Sequence, residues 1–302
     1  MRFMIRCRIV FLFLLCFLPM ALHAQGSSTG FGFLGLPYSA RNAALGEASV
    51  ADTSDRLSAF LNPAALSGTS AFGISLSHQQ WIQGVTSNLL HADLALPFGR
   101  LGIRVASTTV PGIEIRTVPG PPEGIFNARS ALIGLTAAFP LQTNLTAGIT
   151  LQHIYEKLYV DEATGTLYDM GLLYVTPLEG ISAGVSLQHA GFVGRLRDRR
   201  SRLPVTLRGG LAYRFETGDY VVRTLFAIST EANQSGARMH GGIEGVYADL
   251  AAIRIGYQTG HETRGFAAGF GVHSSNLMLD YGFVPFSHGL GSGHLITIGY
   301  RI

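Results

Sequence analysis

The chain has 302 residues, 47% hydrophobic and only 14% charged, with 22 basic against 19 acidic side chains. Typical soluble domains are about a quarter charged, so an ordinary aqueous globule is disfavoured. The near balance of charge also removes any argument for a nucleic-acid surface.

Arg2, Arg6 and Arg8 precede an apolar run from Ile9 to Leu18, which Pro19 breaks before Leu22-His23-Ala24. A positive start, a short apolar stretch and a small residue before Gln25 read as a secretory signal peptide over residues 1–24. The run is too short to span a bilayer as a helix. The rival reading is a lipoprotein signal using Cys16, but Leu14 and Leu15 stand where small residues are expected. Cleavage after residue 24 leaves 278 of the 302 residues and removes both cysteines, Cys7 and Cys16. Disulfide and thiolate chemistry are then excluded. The three arginines leave too, so the 22 basic residues become 19 against 19 acidic ones, and Lys157 is the only lysine.

Residues 25–69 are expected to form a hatch, because 44–66 is the only later stretch whose composition favours helix. Ser54 is the predicted N-cap, with Asp55 in the first turn. Leu57, Phe60 and Leu61 share a face at helical spacing. Pro63 stops the helix near Asn62.

Dyad apolar–polar alternation starts at Phe72 and continues to Ile302. Leu101, Ile103 and Val105 oppose Gly102 and Arg104; Ile253, Ile255 and Tyr257 oppose Arg254 and Gln258. Fourteen strands of roughly 8–13 residues follow, close to the length that crosses a bilayer at a tilt. No later segment reaches the ~18 apolar residues of a membrane helix. Short turns near 97–100, 140–143, 176–180, 216–219, 248–249 and 274–275 alternate with longer loops near 79–87, 107–126, 156–166, 190–202, 231–237, 259–263 and 284–292. Aqueous β-sandwiches have no reason to sort loops this way. The expected fold is all-β: a fourteen-stranded antiparallel transmembrane β-barrel over 70–302, with a short N-terminal helical hatch. It belongs in a Gram-negative outer membrane, short turns and both mature termini periplasmic, with the hatch in that mouth. Ending on Ile302 rather than an aromatic residue is a mild departure from common barrel termini.

Charges in such a barrel belong in the lumen, since each costs up to a few kcal/mol on the lipid face. Asp93, Asp169, Glu244 and Asp280 are the acidic lumen candidates; Arg104, Arg208, Arg214, Arg223, Arg254 and Arg301 are the basic ones. They read either as a pathway for a polar solute or, as the balanced signs favour, as a cross-barrel network that fixes register. The ten histidines are dispersed and show no metal-ligand spacing within a strand. Neither a nucleophile elbow nor a phosphate loop is present, so neither an enzyme nor a cofactor is expected. Arg195, Arg197, Arg199, Arg200 and Arg202 crowd one outer loop. They could grip lipopolysaccharide phosphates or an acidic partner, or simply be solvated. Residues 110–127, stiffened by Pro119, Pro121 and Pro122, suit a lid or a docking surface.

The opening FLGLPYSARNAALGEASVAD with LNPAAL, the block HIYEKLYVDEATGTLYDMGLLYVTP, and the close GLGSGHLITIGYRI resemble the PorV/PorQ family of outer-membrane proteins. The opening is closer to PorQ and the middle to PorV. That family in turn resembles FadL-type barrels, whose hatch motif is matched by Asn62, Pro63 and Ala64. The resemblance implies a FadL-like barrel acting as an interaction or scaffold protein for type IX secretion, handling cargo proteins at the cell surface. The alternative is a FadL-like transporter of hydrophobic small molecules. Expected partners are outer-membrane lipid and lipopolysaccharide, secreted cargo or secretion-system subunits, or a hydrophobic small molecule.

Overall fold

The computed structural model describes residues 30–66, 71–196, 199–232, 234 and 236–302, with only the backbone at 199 and 200. The expected signal peptide and residues 25–29 and 67–70 lie outside this set. Fourteen strands close into an antiparallel barrel. They are β1 Phe72–Gln80, β2 Thr86–Leu96, β3 Gly99–Ile115, β4 Gly124–Gln142, β5 Leu145–Leu158, β6 Asp161–Val175, β7 Ile181–Val193, β10 Thr206–Thr217, β11 Tyr220–Glu231, β12 Ala237–Tyr247, β13 Ala251–Gln258, β14 Phe266–Ser274, β15 Leu277–Pro285 and β16 Ser292–Arg301. A two-stranded ribbon, β8 Arg195–Leu196 with β9 Arg199–Arg200, stands apart from the barrel in the β7–β10 connection. β1 pairs with β16 at Gly73↔Arg301, so no edge is left open. Closure satisfies every ladder, which is what a strand needs in lipid.

The alternation seen in the sequence sets the two faces. Outward positions such as Leu76, Ile103, Leu135, Ile253 and Ile298 are exposed and apolar. Phe139, Tyr213, Tyr220, Tyr247 and Tyr300 bound this band near the short turns, and Tyr257, Phe266 and Phe283 near the long loops. An apolar belt between aromatic girdles is the surface of a barrel that sits in a bilayer.

The sorting of loop lengths is looser than expected: the 176–180 connection is as long as those at 81–85 and 232–236, and the clearest departure lies between β5 and β6. There the expected loop at 156–166 is a two-residue turn at Tyr159–Val160, with Tyr159 at φ 58°. β3 and β4, 17 and 19 residues long, likewise continue past the belt into the expected 107–126 loop. Strand pairing satisfies more backbone groups than a loop can, so the hairpins extend.

Residues 30–66 fill the lumen, and they are not the single helix expected. α1 is Ala40–Ala44, with the Ser39 hydroxyl accepting from Asn42 N at 3.2 Å. It ends at Gly46 and Glu47, both left-handed. Short 3₁₀ turns follow at Ser49–Ala51, Arg56–Phe60 and Pro63–Ala65. The cap at 56–60 is Asp55, which accepts from Leu57 N at 3.1 Å. Ser54 cannot serve, because its hydroxyl is engaged by Asp52 at 2.7 Å and Arg41 at 3.1 Å.

The segment is also not confined to the short-turn mouth. Gly30 abuts Ser201 in the connection beyond β7, on the long-loop side. Ala64 packs on Gly148, three residues from the short-turn end of β5. The described chain therefore starts in the long-loop half, whereas Ile302 closes against Phe72 at the short turns. The wall makes room with glycine. A Cβ on Gly242 would stand 2.6 Å from Leu45 O, and one on Gly282 would stand 2.5 Å from Ala40 O.

Candidate functional site: the plug seat and the cavity above it

The plug is tied to the wall by buried charge. Glu244 on β12 accepts from Arg41 Nε at 2.8 Å and Nη2 at 2.7 Å, and from Arg223 and Arg254, each at 2.7 Å. Arg254 also donates to Asp280 at 2.7 Å. Arg41 turns its remaining nitrogen to Asp52 at 2.5 Å, with Asp55 at 3.7 Å. Burial alone would lower the Arg41 pKa, but the carboxylates of Asp52 and Glu244 outweigh it and hold it well above the usual value. Burial raises the Asp55 carboxyl against the opposing pull of Arg41. Such groups tolerate burial only because each charge is paired.

A second node joins Asp93 to Arg56 of the plug at 2.7 Å and to Arg100 of the wall. A third lies within the wall: Asp169 accepts from Arg104 at 2.8 Å and from Gln152 at 2.6 Å. Asp169 is also skipped by the β6–β7 ladder, and its Oδ1 accepts from His189 N at 2.8 Å. His189 sits at φ 58°, so the wall bulges there.

Asn62 serves as the clasp of the lower plug. Its Oδ1 accepts from Ala64 N at 3.1 Å, while its Nδ2 donates to Val50 O at 2.8 Å and to Leu172 O of β6 at 3.1 Å. Pro63 follows as the first residue of the turn, where its missing N–H is harmless. Asn62→Leu keeps the volume but removes the side-chain partner of three backbone groups, two of them in buried hydrogen bonds. It should destabilise the folded protein by about 1–3 kcal/mol, measured as a lower temperature for loss of heat-modifiable migration on gels.

The expected lumen charges thus fall into two groups. Asp93, Arg104, Asp169, Arg223, Glu244, Arg254 and Asp280 are ion-paired inside. Arg208 is buried but donates to a carbonyl, Glu47 O, at 2.8 Å. Arg214 and Arg301 carry inward parity, yet both are exposed at the short-turn rim, and Arg214 pairs with Glu216 there. They do not join the network because the strands run past the plug at that end. Arg195 and Arg202 are exposed; Arg197 and the side chains of Arg199 and Arg200 lie outside the described residues. The partners on the plug, Arg41, Asp52, Asp55 and Arg56, were not foreseen from sequence. The one available signal was five charges, these four and Glu47, within a segment rich in Ala and Leu.

Above the plug, toward the long loops, lies a cavity of about 100 Å³. Leu36, Tyr38, Phe60 and Leu132 are its main apolar lining, and polar and charged groups such as Glu47, Arg104, Gln188, Arg208, His261 and Arg264 line the rest. Phe60 is fixed by Arg104, whose guanidinium stands 4.6 Å from the ring centroid, and by the His91 ring at 5.9 Å. Leu57 packs with Phe31, Tyr38, Leu132, Ile154 and Leu167 in a buried apolar cluster that shares Tyr38 and Leu132 with the cavity lining. Burial pushes the Tyr38 hydroxyl up to about 12. Burial and the neighbouring Arg264 push His261 down to about 3, so it stays neutral. Trp81, the only tryptophan, lies edge-on to Phe286 at 5.1 Å, with Arg264 5.7 Å from its ring.

No family model matches the chain, and no curated protein matches it. Among solved structures it is similar to the toluene transporter TodX of P. putida, with 12% identity and a TM-score of 0.62, covering 88% of this chain and 98% of that one. A TodX deltaS2S3 mutant, described as a monoaromatic hydrocarbon channel, gives 12% identity and a TM-score of 0.63, covering 88% and 99%. At such identity the likeness is one of architecture. The chain has the fold of FadL-like fourteen-stranded outer-membrane barrels.

Proposed function

We propose that this protein sits in the outer membrane and binds an apolar small molecule above its plug, passing it inward when the plug yields. The observation that carries this reading is the cavity, apolar along Leu36, Tyr38, Phe60 and Leu132, set directly on the plug that closes the lumen. The architecture shared with a toluene transporter supports it. Trp81 supplies the readout, since it touches Arg264 on the cavity wall. Titrating the purified protein in detergent with toluene should give a saturable change in Trp81 emission. Leu132→Arg, which places a charge in the apolar lining, should weaken binding at least about tenfold while the barrel stays heat-modifiable. A folded wild type whose emission does not respond to toluene or to a longer alkane overturns the reading.

The scaffold reading, with cargo or type IX secretion subunits as partners, rests on the sequence blocks that resemble PorV and PorQ. One structural feature favours it: the β3–β4 hairpin projects beyond the belt and leaves Val118 and Ile125 exposed. Normal surface delivery of cargo in cells lacking this gene would remove it.

A further inference from the structure

On the outer wall at the long-loop edge, Arg129 of β4 is directly opposite Lys157 of β5. Both point away from the lumen, since their neighbours Ala128 and Glu156 are the buried ones. Two like charges directly opposite across a strand pair repel each other. Glu162 on β6 neutralises only one of them, meeting Lys157 Nζ at 2.6 Å. Arg129 has no carboxylate within 4 Å among the described residues. The pair therefore leaves one cation unmatched.

Its height decides what can match it. Ten residues separate Arg129 from Phe139 of the short-turn girdle on the same strand. At ~3.3 Å per residue and a tilt near 40°, that is roughly 25 Å, the height of a barrel's apolar band. Ile133, Leu135, Leu151 and Met170 put exposed apolar side chains in the interval, and His153, opposite Ile133, faces outward among them. Arg129 and Lys157 thus stand where acyl chains give way to headgroups. Tyr155, one row below on β5, opposes Ala131. An open hollow of about 320 Å³ lies over the pair, lined by Ile125, Phe126, Asn127, Arg129 and Lys157. Phe126, one of its lining residues, meets the Tyr159 ring at a tilt, centroids 5.4 Å apart.

We propose that Arg129 and Lys157 bind the phosphate of a phosphorylated outer-leaflet glycolipid, with its acyl chains along the Ile133–Leu135–Leu151 surface. A phosphate between the two cations accepts from both and removes their repulsion; the ammonium keeps a proton for Glu162. The site is separate from the lumen and does not depend on what the cavity takes.

Lys157 is the only lysine, so amine acetylation reports on this site alone once the Lys157 peptide is quantified by mass spectrometry. Delipidated protein in neutral detergent is treated with an acetylating ester in the presence of diphosphorylated lipid A, its dephosphorylated form, or inorganic phosphate. Diphosphorylated lipid A should slow acetylation of Lys157 about tenfold, and neither control should. Arg129→Gln should lose most of this protection, and Arg129→Lys should keep part of it, with both variants still heat-modifiable. Equal slowing by dephosphorylated lipid A would show simple steric cover by acyl chains and overturn the proposal. Equal slowing by inorganic phosphate would show a free-anion site and overturn it as well. So would full protection in a folded Arg129→Gln protein.

Discussion

Deleting residues 44–66 should turn a closed protein into an open pore. In planar bilayers the wild type should show little steady current, and the deletion variant an ohmic conductance. The expectation follows from what the segment occupies. Leu45, Val50 and Ala64 lie on Gly242, Gly184 and Gly148, placing plug backbone against wall backbone on several strands, and the Asn62 side chain lies on Gly171. A barrel of about eight strands is filled by its own side chains, whereas one of 16–18 strands leaves an aqueous channel. Fourteen strands with glycine facing inward have too little side-chain volume to close themselves. The barrel should survive the deletion because its ladders are closed without the plug. Wall charges such as Glu244 keep Arg223 and Arg254 as partners and gain water. Retained heat-modifiable migration checks that the barrel still folds. Unchanged conductance from a folded variant would rule out the plug.

The wall was legible because its physics is local. A residue between lipid and lumen must alternate, and that alternation is visible in runs such as 251–258, where inward Arg254 is buried and outward Ile253 exposed. The plug was not legible in the same way. Its apolar residues meet different strands as the chain winds down the lumen, so no single period describes them. Leu45 faces β12, Val50 faces β7 and β10, and Ala64 faces β5. Asn62 was singled out by the resemblance and not as a cap, and local capping rules chose Ser54 over Asp55, since only the fold brings Arg41 and Asp52 to the Ser54 hydroxyl. The same long-range closure explains Arg214 and Arg301. Parity puts them on the inner face, but only the length of each strand relative to the plug says that they end at an open rim.

Glu244→Ala should unseat the upper plug without dismantling the barrel. In the wild type one carboxylate is shared by three guanidiniums, from Arg41 on the plug and from Arg223 and Arg254 on neighbouring strands. Removing it leaves three cations facing one another in a buried space, with Asp280 still holding Arg254 and Asp52 still holding Arg41. Breaking a buried ion pair from one side costs about 3–5 kcal/mol, because the remaining charge keeps its desolvation penalty. The wall cations are fixed by the β11–β13 ladders, so the mobile partner is Arg41 and with it α1. Limited proteolysis should therefore cut within 30–66 at least about tenfold faster than in the wild type, while the strands stay resistant. The same variant should show intermittent current, smaller on average than that of the 44–66 deletion. Asn62 still clasps the lower plug to Leu172, which is why opening should be partial. Glu244→Gln separates charge from shape: it keeps the volume and one acceptor oxygen for Arg41 but removes the negative charge and the second acceptor, and it should fall between the wild type and the alanine variant. Wild-type protease resistance in a folded Glu244→Ala protein would mean that packing over the glycines alone holds the plug, and the ionic latch would have to be abandoned.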